Sequence, residues 1–459
     1  MRFGVSSQVP VWLSLQRESD HAVEKDNMNN NDVDRNDVDR NTQGDAPLPD
    51  RVILLTGVER LPRDLSAFCA ENEKNVCVIR YRVERIGAVN GANDADSDIC
   101  IVRSVQGCGL VPHGDERLPM RECCVTCAIK SDAERMVVGL GKAIRRCGVR
   151  SGVTFVVVLP VGLQALPIAR YMEDCFAFAD DIGDQGETVP TPRVSSVVSA
   201  VDEMGLRACL FDDAPFSSLG GGDEGTDALI DDGRSVGEIQ ATLLREADRL
   251  LVVSVGSGET YVDCGLTWME ELIAQIRGGE TMDVGRACDA DWGAIAGCRY
   301  DTDAAQQRLD ALTLHADCGE ASRVHEPVRL MCTSDGFEST MVHSVRPIHP
   351  GRLSALLAGF AESGSAARVH IRGHFTVPTR PFSVFVWDGG PGGVSIEELD
   401  NADGDLPCVT VLQVVSENHM DIPLRLEWLL LTDEEMRVPA ASWFDQTDEF
   451  TLWSVSGSR

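Results

Sequence analysis

Short, wholly or mostly apolar runs alternate with helix-period segments along the first two thirds of this chain, and no other feature limits its fold as much. Val52-Ile53-Leu54-Leu55-Thr56 is strand-sized and unbroken, and residues 76–80, 153–159, 194–201 and 250–255 are of the same kind. A strand without a polar face is buried on both sides, which only a sheet covered above and below provides. Amphipathic stretches lie between the runs. A helix is expected from Pro62 or Asp64 to about Glu71. Another is expected over 131–146, where Ser131 suits a cap, Glu134 follows three residues later, and Val137, Leu140 and Ile144 share a face. Ser235-Val236-Gly237-Glu238 reads as a capping box opening a helix with Ile239, Leu243, Leu244 and Ala247 on one stripe. Alternation of this kind predicts an α/β fold with a mostly parallel sheet. Residues 87–119 and 212–233, rich in Asp and Gly, read as loops.

The pattern changes near residue 326. Pro350 suits a first helical position, with Leu353, Leu356, Leu357 and Phe360 on one face. Strands are expected at 367–377, 382–387 and 408–415, and a helix over 421–431. This predicts a smaller α+β domain over 326–459, after an α/β domain over 51–325. Residues 1–50 are polar, and Asn30-Asn31-Asp32-Val33-Asp34-Arg35 is nearly repeated in Asn36-Asp37-Val38-Asp39-Arg40. Such a tract has too little apolar area to offset the entropy of ordering, so it reads as a disordered extension.

Lys and Arg number 41 against 73 Asp and Glu, a net charge of −32. That surface repels phosphate backbones and anionic membranes, which argues against direct nucleic-acid or membrane binding and favours a protein partner or a cation. No run is long and apolar enough for a membrane span, and the start lacks a signal-peptide core, so a cytoplasmic location is expected. Most of the 16 Cys fall in apolar runs, as Cys77 does, and read as small buried hydrophobes in a reducing compartment.

The first run ends at Gly57, where a phosphate loop would begin. Such a loop needs Gly-x-x-x-x-Gly-Lys-Ser/Thr, so that backbone N–H groups wrap the phosphates, Lys reaches the outer ones and the hydroxyl holds magnesium. The sequence reads Gly57-Val58-Glu59-Arg60-Leu61-Pro62-Arg63-Asp64 instead. The second Gly and the Lys-Thr pair are missing, Glu59 brings negative charge, and Pro62 removes a donor. Arg60 or Arg63 could meet an anion but cannot replace the cradle, so GTP is not expected as a ligand. Gly141-Lys142 lies inside a predicted helix and is followed by Ala143, which cannot ligate magnesium.

Cys123-Cys124-Val125-Thr126-Cys127 is the densest cysteine feature. Cys124 and Cys127 form a C-x-x-C, with Cys123 as a third sulfur, a spacing that suits half of a tetrahedral thiolate site for zinc. A structural or redox-labile cluster is the alternative. Cys108 and His113 lie upstream as further donors. His370 and His374 have even spacing on a predicted strand and should face one side. Two ordinary surface or interface histidines are favoured there over a metal pair.

These pieces resemble the CobW family of metallochaperone GTPases over about residues 52–459, and more closely its degenerate actinobacterial branch. Glu122–Asp132 is similar to the family's Cys-x-Cys-Cys region, with Thr126 where its middle Cys would stand. Asp232–Glu238 leading to Glu246–Leu250 resembles the stretch before the guanine-recognition strand. Arg346–Leu353 through Arg368–His374 looks like the CobW C-terminal domain with its Arg-x-Lys/Arg-Gly signature. Leu429–Met436, followed by Trp443 and Phe444, looks like the C-terminal segment of the degenerate branch. The resemblance implies a P-loop-GTPase-like fold, zinc as the metal, and Cys123, Cys124 and Cys127 as its ligands. It also implies a switch Glu where this chain has Gln164, and an Asn-Lys-x-Asp base reader where it has Ser254-Val255-Gly256-Ser257. With all three nucleotide motifs altered, the expectation is no catalysis and a role in zinc homeostasis through metal or partner binding. The branch's link to ribosome hibernation gives the alternative of an adaptor that recruits a hibernation factor under zinc limitation. Residual nucleotide binding by a GTP-dependent metallochaperone is the third reading.

Overall fold

A computed structural model describes residues 49–85, 99–107, 113–118, 124–148, 151–179, 191–217, 234–254, 266–313, 337–363, 368–390, 395–401, 403–404, 406, 409–417 and 426–444. The proposed extension over 1–50 lies almost wholly outside them.

An eight-stranded sheet is built from β1 (Arg51–Thr56), β2 (Val76–Arg85), β3 (Ile99–Gly107), β4 (His113–Leu118), β5 (Thr154–Val158), β6 (Arg193–Asp202), β7 (Arg249–Val253) and β8 (Asp283–Arg286). Their order is β4-β3-β2-β5-β1-β6-β7-β8. All pairs from β2 to β8 in that order are parallel, while β3 runs antiparallel to both of its neighbours. The chain leaves β1 towards β2 on one side, then leaves β5 towards β6 on the other. With β1 central and the strands filling both sides in this sequence, the fold is α/β of the P-loop-GTPase-like type.

The unbroken apolar runs are explained by helices on both faces. Val52 and Leu54 pack with Cys77, Ile79, Phe155 and Val157 under α2 (Val125–Arg146), α3 (Leu166–Ala179), α5 (Val236–Glu246) and α6 (Thr267–Ile276). Ile53 and Leu55 pack with Val76, Val78, Val156 and Val158 under α1 (Arg60–Glu71) and α7 (Trp292–Gly297). The short α4 (Gly205–Leu210) and α8 (Thr302–Leu309) complete this part.

Three expectations are corrected here. Residues 87–119 are not all loop, because β3 and β4 extend the sheet antiparallel beyond β2. Their polar residues are paired: Arg103 is buried and meets Asp132 of α2 at 2.5 Å, and Asp132 accepts a 2.8 Å bond from the Tyr81 hydroxyl. Strand β2 runs on past residue 80 to Arg85. Helix α2 starts a turn and a half before Ser131, capped by Cys124 instead.

A second, antiparallel sheet has the order β12-β11-β10-β13-β9, from β9 (Phe337–Ser344), β10 (Val369–Phe375), β11 (Ser383–Gly389), β12 (Ser395–Asp400) and β13 (Thr410–Glu417). Strands β9 and β12 were not expected. The helix foreseen over 421–431 is only the single turn of α10 (Leu426–Leu429) among described residues. Helices α9 (Pro350–Ser363) and α11 (Ala440–Phe444) complete the region. One face of this sheet is apolar: Val369, Ile371, Phe375, Phe385, Trp387, Leu412 and Val414 bury against Leu353 and Leu357 of α9. The other face carries His370, Arg372, His374, Asp388 and Gln413, and it packs on the first sheet's helices. Gln413 donates to Gln275 O at 2.6 Å, and Phe337 stacks between Phe211 and Trp268.

Candidate functional site

In this fold ligands bind outside the carboxyl ends of the parallel strands, where strand order reverses. At that edge the connection from β1 to α1 is Gly57-Val58-Glu59 alone. Carbonyls at and before this connection are used inside the protein. Gly57 O accepts from Gly162 N at 3.0 Å, and Leu159 N donates to Leu55 O at 2.9 Å. Val58 is buried with Val161, Phe216, Ile239 and Leu243. A Cβ on Gly57 would stand 2.9 Å from Ala200 O, so this glycine serves a close approach of backbones. Arg63 is 1% exposed and turns inward from the first turn of α1. Its Nη1 donates to Leu159 O at 3.0 Å, and its Nε and Nη2 to Asp64 Oδ1 at 3.1 and 2.8 Å. Arg60 pairs with Asp64 Oδ2 at 3.3 Å. Glu59 lies against Gly205, and burial together with the charge of Asp202 raises its pKa above the usual range. Gly57, Glu59, Arg60 and Arg63 are therefore neighbours, with the side chains of Arg60 and Arg63 turned to Asp64 and Leu159 O.

The two other positions that the CobW resemblance singles out are Gln164 and Ser254. Gln164 lies in the turn before α3, where the first N–H groups of the helix are satisfied by Glu246. Ala165 N and Leu166 N donate to Glu246 Oε2 at 2.7 and 3.4 Å. Burial drives the Glu246 carboxyl up to about 7, against those two hydrogen bonds and Arg234. At the end of β7, Ser254 donates to Glu203 Oε2 at 2.8 Å and accepts from Arg286 Nη1 at 2.9 Å. Where the resemblance would put a base reader, this chain has a serine tied to a buried carboxylate; residues 255–257 lie outside the described residues.

The cysteine motif opens α2 at the same edge of the sheet. Cys124 is the N-cap, its Sγ accepting from Cys127 N at 3.3 Å, so both sulfurs project from one turn. Cys124 is exposed and Cys127 half-buried. Cys123 and Cys108 lie outside the described residues, and His113 starts β4. Among the described residues no three His, Cys, Asp or Glu side chains come together in a metal-holding group. Two thiols of a C-x-x-C thus fit half of a zinc site.

His370 and His374 do face one side of β10, and both are buried. They do not converge on a common ligand position. His374 Nδ1 is 3.1 Å from Ala311 O, while His370 Nε2 is 2.9 Å from Arg245 Nη2 and 3.3 Å from Asp388 Oδ1. They are interface residues.

One feature escaped the sequence reading. A cleft of about 560 Å³ opens between α1 and the overhang of β2 and β3, lined by Arg63, Arg80, Arg82, Ser104, Gln106 and Asp115 among others. The signal was the alternation Arg80-x-Arg82-x-Glu84, which continues a strand with one polar face.

No protein-family model matches this chain, and no curated protein matches it. Among solved structures it is similar to the Zn(II)-bound YjiA GTPase from E. coli, at 13% identity over 87% of this chain and 100% of that one, with a TM-score of 0.29. A Zn(II)-bound triple mutant of YjiA GTPase gives 12% identity, 84% and 100% coverage, and a TM-score of 0.28. At these TM-scores neither likeness bears on the site. No helix among the described residues is long and apolar enough to cross a membrane.

Proposed function

We propose that this chain is a CobW-like protein of zinc homeostasis whose GTPase-like part no longer turns over nucleotide and which acts through a thiolate metal site. The observation that carries this reading is the placement of Cys124 and Cys127 on the first turn of α2. They stand at the carboxyl edge of a sheet along which Arg63, Glu246 and Glu203 make internal contacts. The sequence resemblance to the CobW family supports it. Cys124 and Cys127 would supply two thiolates and Cys123 a third. Bound zinc would keep these thiols deprotonated, and the N–H of Cys127 would help to orient Cys124.

The test is zinc titration of the purified full chain beside GTP calorimetry on the same sample. Stoichiometric zinc uptake lost in Cys124→Ser with Cys127→Ser, and no GTP affinity tighter than about micromolar, is the expected pair of results. Equal zinc uptake in the double variant sinks the cysteine assignment. Tight magnesium-dependent GTP binding sinks the loss of nucleotide function.

A second reading has this chain as an adaptor that recruits a hibernation factor to ribosomes when zinc is scarce. It is favoured by the last described segment, where Arg346 and Arg352 hold Leu430, Leu431 and Glu435 in place while Trp428 and Met436 stay exposed. With a net charge of −32, contact through a basic protein is easier than contact with RNA. A pull-down from zinc-starved cells that returns no ribosomal or hibernation protein would count against it.

A further inference from the structure

The cleft between α1 and the β2–β3 overhang has no part in either reading above. We propose that it binds the phosphoryl group of a small phosphate monoester, held by Arg80 and Arg82 with Ser104 and Gln106.

Its position comes from the strand order. The chain leaves β1 towards one side and β5 towards the other, and the crevice outside the carboxyl ends at such a reversal is where α/β sheets take ligands. The cleft lies beside that crevice, over β2 and β3, with Val158 at the end of β5 in its lining. Arg80 pairs with Val158 in register, and β2 continues beyond it to Arg85. Even-numbered residues of β2 share the face of Val76 and Val78, beneath α1, so Arg80 and Arg82 stand on that face. Ser104, opposite Arg80, and Gln106, opposite Val78, extend it onto β3. Arg63 and Asp64 of α1 line the cleft as well. Its volume of about 560 Å³ is that of a small-molecule site.

The donors select the ligand. Arg80 uses Nη1 for Glu71 and for Gln106 Oε1, and Arg82 uses Nη2 for Asp115 at 2.6 Å. The Nε and Nη2 of Arg80, and the Nε and Nη1 of Arg82, make no hydrogen bond to a described residue. With the Ser104 hydroxyl and the Gln106 amide, these exceed what the two oxygens of a carboxylate can accept in good geometry. The three oxygens of a phosphoryl group suit them. Guanidinium forks are the usual partners of such a group. Asp115 is more than half exposed and lies at the solvent side, so an entering anion can displace it from Arg82. The guanidiniums of Arg63, Arg80 and Arg82 at the cleft are offset by Asp64, Glu71 and Asp115, so it is displacement of Asp115 that frees charge for an anion.

The experiment is calorimetry of the full chain with glycerol 3-phosphate as probe and malate as the carboxylate control. The expected result is saturable binding of glycerol 3-phosphate that weakens with salt, falls about tenfold or more in Arg82→Gln, and falls by less in Ser104→Ala, which leaves every ion pair in place. Both variants should melt with the parent, and the double variant of Cys124 and Cys127 should bind the probe as the parent does. That last arm separates this site from the thiolate one. Absence of saturable binding at millimolar probe overturns the proposal. So does unchanged affinity in both variants, or malate binding tighter than the phosphate ester with the same dependence on Arg82.

Discussion

Arg245 Nη1 and Asp388 Oδ2 stand 2.5 Å apart, joining the last turn of α5 to the polar face of the second sheet. Arg245 is 1% exposed, and its Nη2 reaches His370 Nε2 at 2.9 Å. Because a guanidinium only donates, Nε2 must be the acceptor, which places the proton of a neutral His370 on Nδ1. Arg372 of β10 closes the group, 4.0 Å from Asp388 through Nε and bonded through Nη2 to Arg308 O. Burial works against the charge of Asp388. Arg245, with Arg372, outweighs it and holds the carboxyl well below the usual carboxylate range. The two sheets are thus fastened by charges, with stacked aromatics at one side.

Removing one member should cost more than the pair contributes, because it strands the partner without compensation. Asp388→Asn is expected to lower stability by about 3 kcal/mol, as breaking a buried ion pair does. Replacing both Arg245 and Asp388 by apolar residues should cost less than either single change predicts. Urea unfolding of the two single variants and the double checks this, and additive losses would show that no coupling exists.

The same cluster predicts an acid-sensitive joint. Burial holds the His370 imidazole below its ordinary range, and the Arg245 and Arg372 guanidiniums add to that against Asp388. Unfolded, the histidine titrates near about 6.5. Between that value and its lower folded value the native state binds fewer protons than the unfolded one. Stability from this group is present above about 6.5 and is lost as pH falls through the folded value. His370→Gln, which keeps an acceptor for Arg245, should flatten the stability profile below pH of about 6.5 relative to the parent. Parallel curves would assign the acid sensitivity elsewhere.

Gly373 is the residue of the second sheet with least tolerance for a side chain. It has φ of 150°, and a Cβ there would lie 1.9 Å from Val411 O on the neighbouring strand β13. The obstacle is backbone in a central strand pair, so nothing can swivel aside. Gly373→Ala should cost more than about 3 kcal/mol, in the range reserved for strain and overpacking. Insoluble protein, or a melting transition far below the parent's, is the expected outcome. A melt within a degree or two would mean that β10 and β13 can separate locally.

The sequence was most legible where burial leaves no choice of residue. Strands β1, β5 and β7 are covered on both faces, so their apolar runs mark them within a residue or two. The Ser235 cap is real, its hydroxyl accepting from Glu238 N at 3.1 Å. Pro350 does open α9, and His370 and His374 do share a side. Legibility failed where polar residues are buried in pairs. Arg103 on β3 looks like loop composition until Asp132 and Tyr81 are seen beside it. Strand β4, His113-Gly114-Asp115-Glu116-Arg117-Leu118, has no apolar pattern because it lies at the sheet edge. For the site, the absence of the phosphate-loop residues after Gly57 could be read from the sequence. That Arg63 turns inward onto Leu159 O could not, since an arginine on the first turn of a helix ordinarily faces water.

Glu246 offers a test with the opposite pH sign. It is 1% exposed and caps the start of α3 through Oε2, while Oε1 has no partner among the described residues. Burial raises its pKa to about 7, against roughly 4.3 when unfolded. The folded state therefore binds more protons over that interval. The contribution of this group is fully present below about 4.3 and is lost as pH rises through about 7. The shift corresponds to something on the order of 3 kcal/mol. Glu246→Gln keeps an oxygen for Ala165 N and Leu166 N without the charge. It should match the parent near pH of about 4 and exceed it above pH of about 8, whereas Glu246→Ala should be less stable than Glu246→Gln throughout for want of the cap. Denaturant midpoints across that pH range decide it: a parent more stable than Glu246→Gln at alkaline pH would mean that the buried carboxylate is better solvated than its surroundings indicate.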